Sequence, residues 1–191
     1  MGRMWKVATI ISSTRPNRIG ADIAHWVLSV ISGTKDLEFE LVDLARWYLP
    51  NDEPSIPAVH EYVHEHTKAW SRQISAADGY IFVTPQYNWG YPASLKNAID
   101  HLYKEWTGKP ALIISYGHHG GGKAAAQLRQ VLDGLKMRAT AATPGITFTN
   151  EMLTGAGRLK DPAVDFARYA EGVRTAAEEL AERLRNNPQA V

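Results

Sequence analysis

The chain contains no cysteine. That excludes disulfides, thiolate metal sites and thiol catalysis together. It also removes the usual mark of a secreted fold, so a reducing cytoplasm is the expected compartment. No apolar run approaches the roughly 20 residues needed to span a bilayer, so no membrane association is expected. Met1-Gly2-Arg3 leads into a strand-like run without the apolar core of a signal peptide. Neither sign of charge dominates, with 21 Lys+Arg against 20 Asp+Glu in 191 residues. Such a balance offers no electrostatic footprint for nucleic acid or another polyanion. Repeats and interdomain linkers are lacking too, and a chain of this length buries roughly 70% of its unfolded surface. One domain over residues 1–191 is the expectation.

Four short runs are apolar and mostly continuous: Val7–Ile11, Phe39–Val42, Tyr80–Val83 and Ala111–Ile114. Continuity rather than alternation is the mark of strands covered on both faces. Gly145–Phe148 is a fifth, weaker candidate. Apolar residues recur at helical spacing between the runs. Ile19, Ile23, Val27, Val30 and Ile31 form one stripe, and Val59, Val63, Trp70, Ile74 and Ala77 a second. Leu95, Ala98, Ile99 and Leu102 form a third, and Ala125, Leu128, Leu132 and Leu135 a fourth. Asp161-Pro162 reads as an N-cap with proline in the first turn. It opens a helix expected over 161–187, with Phe166, Ala170, Val173, Ala177, Leu180 and Leu184 on one face. Alternating strands and helices predict an α/β fold with a parallel sheet between two helical layers. Ligands of such sheets sit at the carboxyl ends of strands, where strand order reverses.

The loops at those ends are the unusual ones. Thr84-Pro85-Gln86-Tyr87-Asn88-Trp89-Gly90-Tyr91-Pro92 follows the third strand. Its prolines and glycine stiffen a backbone that carries aromatic faces and amide groups. A planar heteroaromatic ligand with a polar edge suits it; the bland reading is a rigid loop packed on a neighbouring subunit. Ser12-Ser13-Thr14-Arg15-Pro16-Asn17-Arg18-Ile19-Gly20 follows the first strand. Hydroxyls and two arginines just before a helix suit a phosphate, although a solvated polar turn has the same composition. It is neither a Walker A loop nor a G-x-G-x-x-G fingerprint. Ser115-Tyr116-Gly117-His118-His119-Gly120-Gly121-Gly122-Lys123 follows the fourth strand, and its glycines let backbone approach a ligand closely. One phosphate loop and two ring-binding loops point to a mononucleotide with a large base. Flavin mononucleotide is the natural candidate.

The chain resembles the NADPH-dependent FMN reductase family, flavodoxin-like proteins that include quinone, azo-dye and chromate reductases. The matching segments are Ser13–Arg18, Pro85–Asn88, Pro92–Asp100, Glu105–Pro110 and Gly120–Gly122, within a similarity that spans roughly Val7 to Phe148. The resemblance implies a flavodoxin-like three-layer α/β/α sandwich with a five-stranded parallel sheet in the order 2-1-3-4-5. It implies that Ser13, Arg15 and Arg18 hold the FMN phosphate, and Gly20 is a further expected cofactor-binding residue. Pro85, Gln86, Tyr87 and Asn88 are implied along the ring, and Ser115, Tyr116, Gly117 and Gly120 on its other side. Trp89, Tyr91 and His118 are the expected substrate contacts. No catalytic side chain is expected, because the flavin carries the chemistry. Hydride passes from NADPH or NADH to flavin N5 and then, by a ping-pong mechanism, to a quinone, free flavin or similar small acceptor. A homodimer or homotetramer is also implied. Two departures stand out: the family usually has glutamate where Gln86 stands, and seldom has paired histidines like His118-His119.

Three other readings compete. The first two are an FMN-containing electron carrier, disfavoured by the neutral charge balance, and a specialised biosynthetic reductase. The third is a zinc peptidase, because His60-Glu61-Tyr62-Val63-His64 matches H-E-x-x-H on an expected helix. No metal site is expected: His66 is badly spaced as a third ligand, and the rest of the chain resembles a flavin fold.

Overall fold

The computed structural model describes residues 3–186. Strand β1 (Trp5–Ile11) lies between β2 (Leu37–Asp43) and β3 (Gly79–Pro85), and β4 (Pro110–Gly117) pairs with β3. Every pair is parallel, with Val7 beside both Phe39 and Gly79, and Phe82 beside Ile113. Two short strands share the fifth position. β5 (Arg138–Ala139) pairs with the start of β4, and β6 (Gly145–Thr147) with its end. The interruption has a local cause. Glu179 accepts hydrogen bonds from the Ala141 and Ala142 amides at 2.8 and 3.3 Å, which takes both out of the ladder, and Pro144 has no N–H to offer.

The strand order is the expected 2-1-3-4-5, and helices cover both faces. Period-2 alternation sorts the strand residues between two cores. Val7, Ile11, Ile81, Val83, Leu112 and Ile114 face α1 (Gly20–Ile31) and α6 (Ala170–Arg185). Ala8, Ile10, Tyr80, Phe82, Ala111 and Ile113 face α2 (Glu65–Ser75), α3 (Ala93–Asp100) and α4 (Gly122–Gly134). Burial on both faces is why the runs read as continuous.

Two helices differ from expectation. α2 begins six residues after Val59, and Val59 and Val63 are 68% and 55% exposed instead of lying on its buried stripe. The Glu53 carboxylate accepts from the Val63 and His64 amides at 3.0 and 3.1 Å and so sets the helix start. Burial works to raise its pKa, but those two amides, together with the Thr67 and Ser55 side chains, outweigh it and hold the group down at about 2. At the other end, the stretch expected to be helical over 161–187 is two helices. Asp161 caps α5 (Pro162–Asp165) by accepting from the Val164 amide. The chain then turns so that Phe166 can bury its ring edge-on against Trp26, 5.4 Å between centroids. α6 follows and carries Val173, Ala177, Leu180 and Leu184 on its buried face. Residue 187 lies outside the described residues.

Candidate functional site

The carboxyl ends of β1, β3 and β4 open into a cleft of about 370 Å³, within the roughly 300–1,000 Å³ usual for small-molecule sites. Arg15 and Arg18 line it from the loop after β1, and Pro85, Gln86 and Tyr87 from the loop after β3. Tyr116, Gly117 and His118 line it from the end of β4.

At the phosphate-like end, the two arginines differ. Arg18 is ion-paired with Asp43 at the end of β2, both side chains being less than one-fifth exposed. Its Nε is buried with no partner. Arg15 makes no ion pair among the described residues; its guanidinium lies 3.7 Å from the centroid of the Tyr87 ring. α1 begins beside them without a side-chain cap, so its first-turn N–H groups and dipole are available to an anion. Ser13 is fully buried and its hydroxyl lies 2.6 Å from that of Tyr87. Gly20, the first residue of α1, also has a packing reason to lack a side chain. A Cβ there would come within 2.5 Å of the Tyr116 hydroxyl, so the glycine makes room for that side chain. Burial raises the Tyr116 pKa far above that of a free phenol; Tyr87 adds to this, while Arg18 and Ser13 oppose it.

At the ring-like end, Tyr87 and Gly90 exchange backbone hydrogen bonds of 2.8 and 2.9 Å. Asn88 and Trp89 between them have φ of 46° and 71°, the geometry of a two-residue type I′ turn. Asparagine suits that conformation; tryptophan rarely adopts it. The Trp89 indole is 67% exposed, with the Lys123 ammonium 4.9 Å from its ring centroid. Gln86 turns its side-chain oxygen to the Lys123 amide at 3.0 Å and so caps α4, whose own N-cap residue, Gly121, has no side chain to offer.

Several expected contacts lie off the cleft wall. Ser115 is buried and spends its hydroxyl on the Gly120 carbonyl at 2.8 Å, bracing the glycine turn from behind. Gly120 packs against Gly145. Tyr91 is half-buried against the core on the α2–α4 face. Asn88 and Trp89 point out at the rim as exposed residues.

The structure adds Asn17, Ile19, Phe148, Leu153 and Gly157 to the cleft. The last three come from the long loop after β6. That loop folds back through an isolated bridge between Leu153 and Leu159. Arg158 clamps it to α1 with a 2.8 Å hydrogen bond from Nε to Asp22. Burial alone would raise the Asp22 pKa, but the Arg158 hydrogen bond and charge, with the Leu159 amide, keep it below the usual range. The loop's length was the available signal; its destination was not readable.

Two motifs have work away from the cleft. In Glu105–Pro110, buried Glu105 accepts from Tyr62 and Ser71 at 2.8 and 2.6 Å. Lys109 donates to the Ala77 carbonyl at 2.6 Å, and to those of Ile74 and Ser75 at the end of α2. In Leu95–Asp100, Asn97 donates to the Leu49 carbonyl at 2.6 Å and ties down the long loop after β2. The H-E-x-x-H match loses its basis. Residues 60–64 precede α2 rather than lie on a helix, so the two imidazoles do not project from successive turns, as that zinc site requires. His64 instead stacks on His66, 5.1 Å between rings.

Comparison with known proteins follows the same lines. The chain is 44% identical over 187 residues to an NAD(P)H-dependent FMN reductase of Schizosaccharomyces pombe, covering 96% of this chain and 92% of that one. It is 49% identical over 144 residues to the NAD(P)H-dependent FMN reductase LOT6 of Saccharomyces cerevisiae, covering 69% and 75%. In fold it matches FerB, a flavoenzyme NAD(P)H:(acceptor) oxidoreductase of Paracoccus denitrificans. The TM-score is 0.73 and the identity 22%, over 96% of this chain and 99% of that one. The profile of NADPH-dependent FMN reductases matches residues 5–150, and the chain belongs to that family.

Proposed function

We propose that the protein is an FMN-dependent NAD(P)H oxidoreductase that passes reducing equivalents to a quinone, free flavin or similar small planar acceptor. The observation that carries this reading is the composition of the cleft. One end gathers an uncapped helix start, the uncompensated Arg15 and the unpartnered Nε of Arg18. Such a donor set fits a phosphate. The walls are Ile19, Pro85, Tyr87, Phe148 and Leu153, apolar and aromatic surfaces that fit a flat ring system.

FMN, when bound, supplies the hydride chemistry by accepting from NAD(P)H and donating to the acceptor. The protein's part is to bind and orient. Arg15 and Arg18 hold the phosphate, Gly117 lets the backbone approach, and Gln86 and Tyr87 set one wall. His118, held by Phe148 through a 3.2 Å contact from Nδ1 to the carbonyl oxygen and a 4.5 Å ring contact, borders the place where the acceptor enters. No side chain is assigned a proton-transfer role. The same proposal includes a cytoplasmic homodimer or homotetramer, supported by the absence of cysteine and by the exposed indole of Trp89 on a rigid turn.

The test is direct. The purified protein should show flavin absorption, release FMN on denaturation, and oxidise NAD(P)H with a quinone as acceptor. A colourless protein that binds no added FMN refutes the proposal. Among the described residues no helix is long and apolar enough to cross a membrane.

A further inference from the structure

Tyr87 belongs to the hairpin at the ring end of the cleft, yet its polar atom reaches the other end. Its hydroxyl is 2.6 Å from Ser13 Oγ, on the loop after β1. Its ring is the plate on which Arg15 rests, 3.7 Å from guanidinium to centroid. Ser13 is wholly buried, so its rotamer is set by what it bonds. In a phenol–alcohol pair the phenol is the stronger acid and the better donor. Either hydroxyl can donate in this pair; with Tyr87 as the donor, Ser13 keeps its own proton for the neighbouring Tyr116 or for an anion at the turn. A hydroxyl that accepts a hydrogen bond becomes a stronger donor in turn. Stacking engages the face of the Arg15 guanidinium and leaves its N–H edge for an anion.

We propose that Tyr87 is a positioning residue for the phosphate end of FMN, acting through Ser13 and Arg15 rather than through contact with the ring. This rests on the FMN reading above. It also explains why a residue expected beside the ring has the one hydrogen-bonding group of its side chain turned away, toward the turn before α1.

FMN and riboflavin differ only in the phosphate, so their affinities separate the two ends of the cleft. The apo-protein is titrated with each flavin by fluorescence quenching, for wild type, Tyr87→Phe, Ser13→Ala and the double variant. Phenylalanine keeps the plate under Arg15 and removes only the hydroxyl; Ser13→Ala breaks the same bond from the other side. We expect Tyr87→Phe to weaken FMN roughly 2- to 10-fold, the range of one hydrogen bond, with riboflavin unchanged. In the Ser13→Ala background, Tyr87→Phe should have no further effect, because the two hydroxyls act as one unit. Equal weakening of both flavins places Tyr87 on the ring and overturns the inference. So does an unchanged FMN affinity. A selective gain in FMN affinity overturns it as well, since the bond would then be withholding Ser13 from the phosphate. A wild-type protein that binds neither flavin removes the FMN reading itself.

Discussion

Replacing Gln86 by glutamate should stabilise the protein, by an amount that salt erodes. The side-chain oxygen of Gln86 accepts from the Lys123 amide at 3.0 Å, in the first turn of α4. That helix has no side-chain cap of its own and no acidic residue in its first turn. The positive end of its dipole is therefore served by a neutral amide. A carboxylate in the same place keeps the bond and adds charge, worth about 0.3–1 kcal/mol at low ionic strength. For a domain of this size, that is roughly a 1–4 °C rise in melting temperature. Removing the acceptor with Gln86→Met should cost about 0.5–2 kcal/mol, the worth of a helix cap. Thermal melts followed by circular dichroism, at low and high salt, read all three proteins. A Gln86→Glu variant that melts below wild type at low salt, or a gain indifferent to salt, refutes the argument. So does a Gln86→Met variant as stable as wild type. The family's usual glutamate at this position then has an architectural role apart from any choice of acceptor.

Gly121 and Gly122 should respond oppositely to alanine. Gly121 has φ of +77°, and a Cβ would meet the Tyr116 amide nitrogen at 2.8 Å; nothing lies within 4 Å of one at Gly122. Gly121→Ala should lose about 1–3 kcal/mol, while Gly122→Ala should be neutral or gain up to about 1 kcal/mol; urea unfolding compares them, and equal effects contradict the packing argument. Asp43→Asn should lower stability by about 1.5–3 kcal/mol, the worth of a hydrogen bond to a charged group. It also releases Arg18, so FMN should tighten relative to riboflavin; parallel titrations with an unchanged ratio count against a phosphate role for Arg18. Burial lowers the Lys109 pKa to about 8, against the pull of Asp78 and Glu105. The folded state therefore sheds that proton before the unfolded state does, and stability should rise with pH between about 8 and 10. The rise, read as urea midpoints, should vanish in Lys109→Met; an equal rise in the variant assigns it to another group.

How much of this was legible beforehand differed by element. The strands Val7–Ile11, Tyr80–Val83 and Ala111–Ile114 were readable because burial on both faces leaves an unmixed apolar run. The run Leu95–Asp100 marked the family, yet the structure uses it to hold α3 and the long loop rather than to touch a ligand. The stripe from Val59 to Ala77 misled, because helical spacing says nothing about Glu53 capturing the Val63 and His64 amides. The three loops at the strand ends were recognisable from composition, since prolines, glycines and arginines declare what a backbone can do nearby. Composition did not show which of their side chains turn inward. Ser115 and Gly20 serve the packing behind the wall, whereas Phe148, Leu153 and Gly157 form part of it. Nor did composition distinguish Arg15 from Arg18, which part company only because Asp43, 25 residues beyond Arg18, ends the neighbouring strand. Local sequence alone determined the central strands, most of the helices, the order of chemistry along the chain and the class of ligand, because propensity and periodicity are short-range properties. Tertiary structure decided which hydroxyls, charges and glycines meet, because pairing across loops far apart in the chain depends on strand order and register.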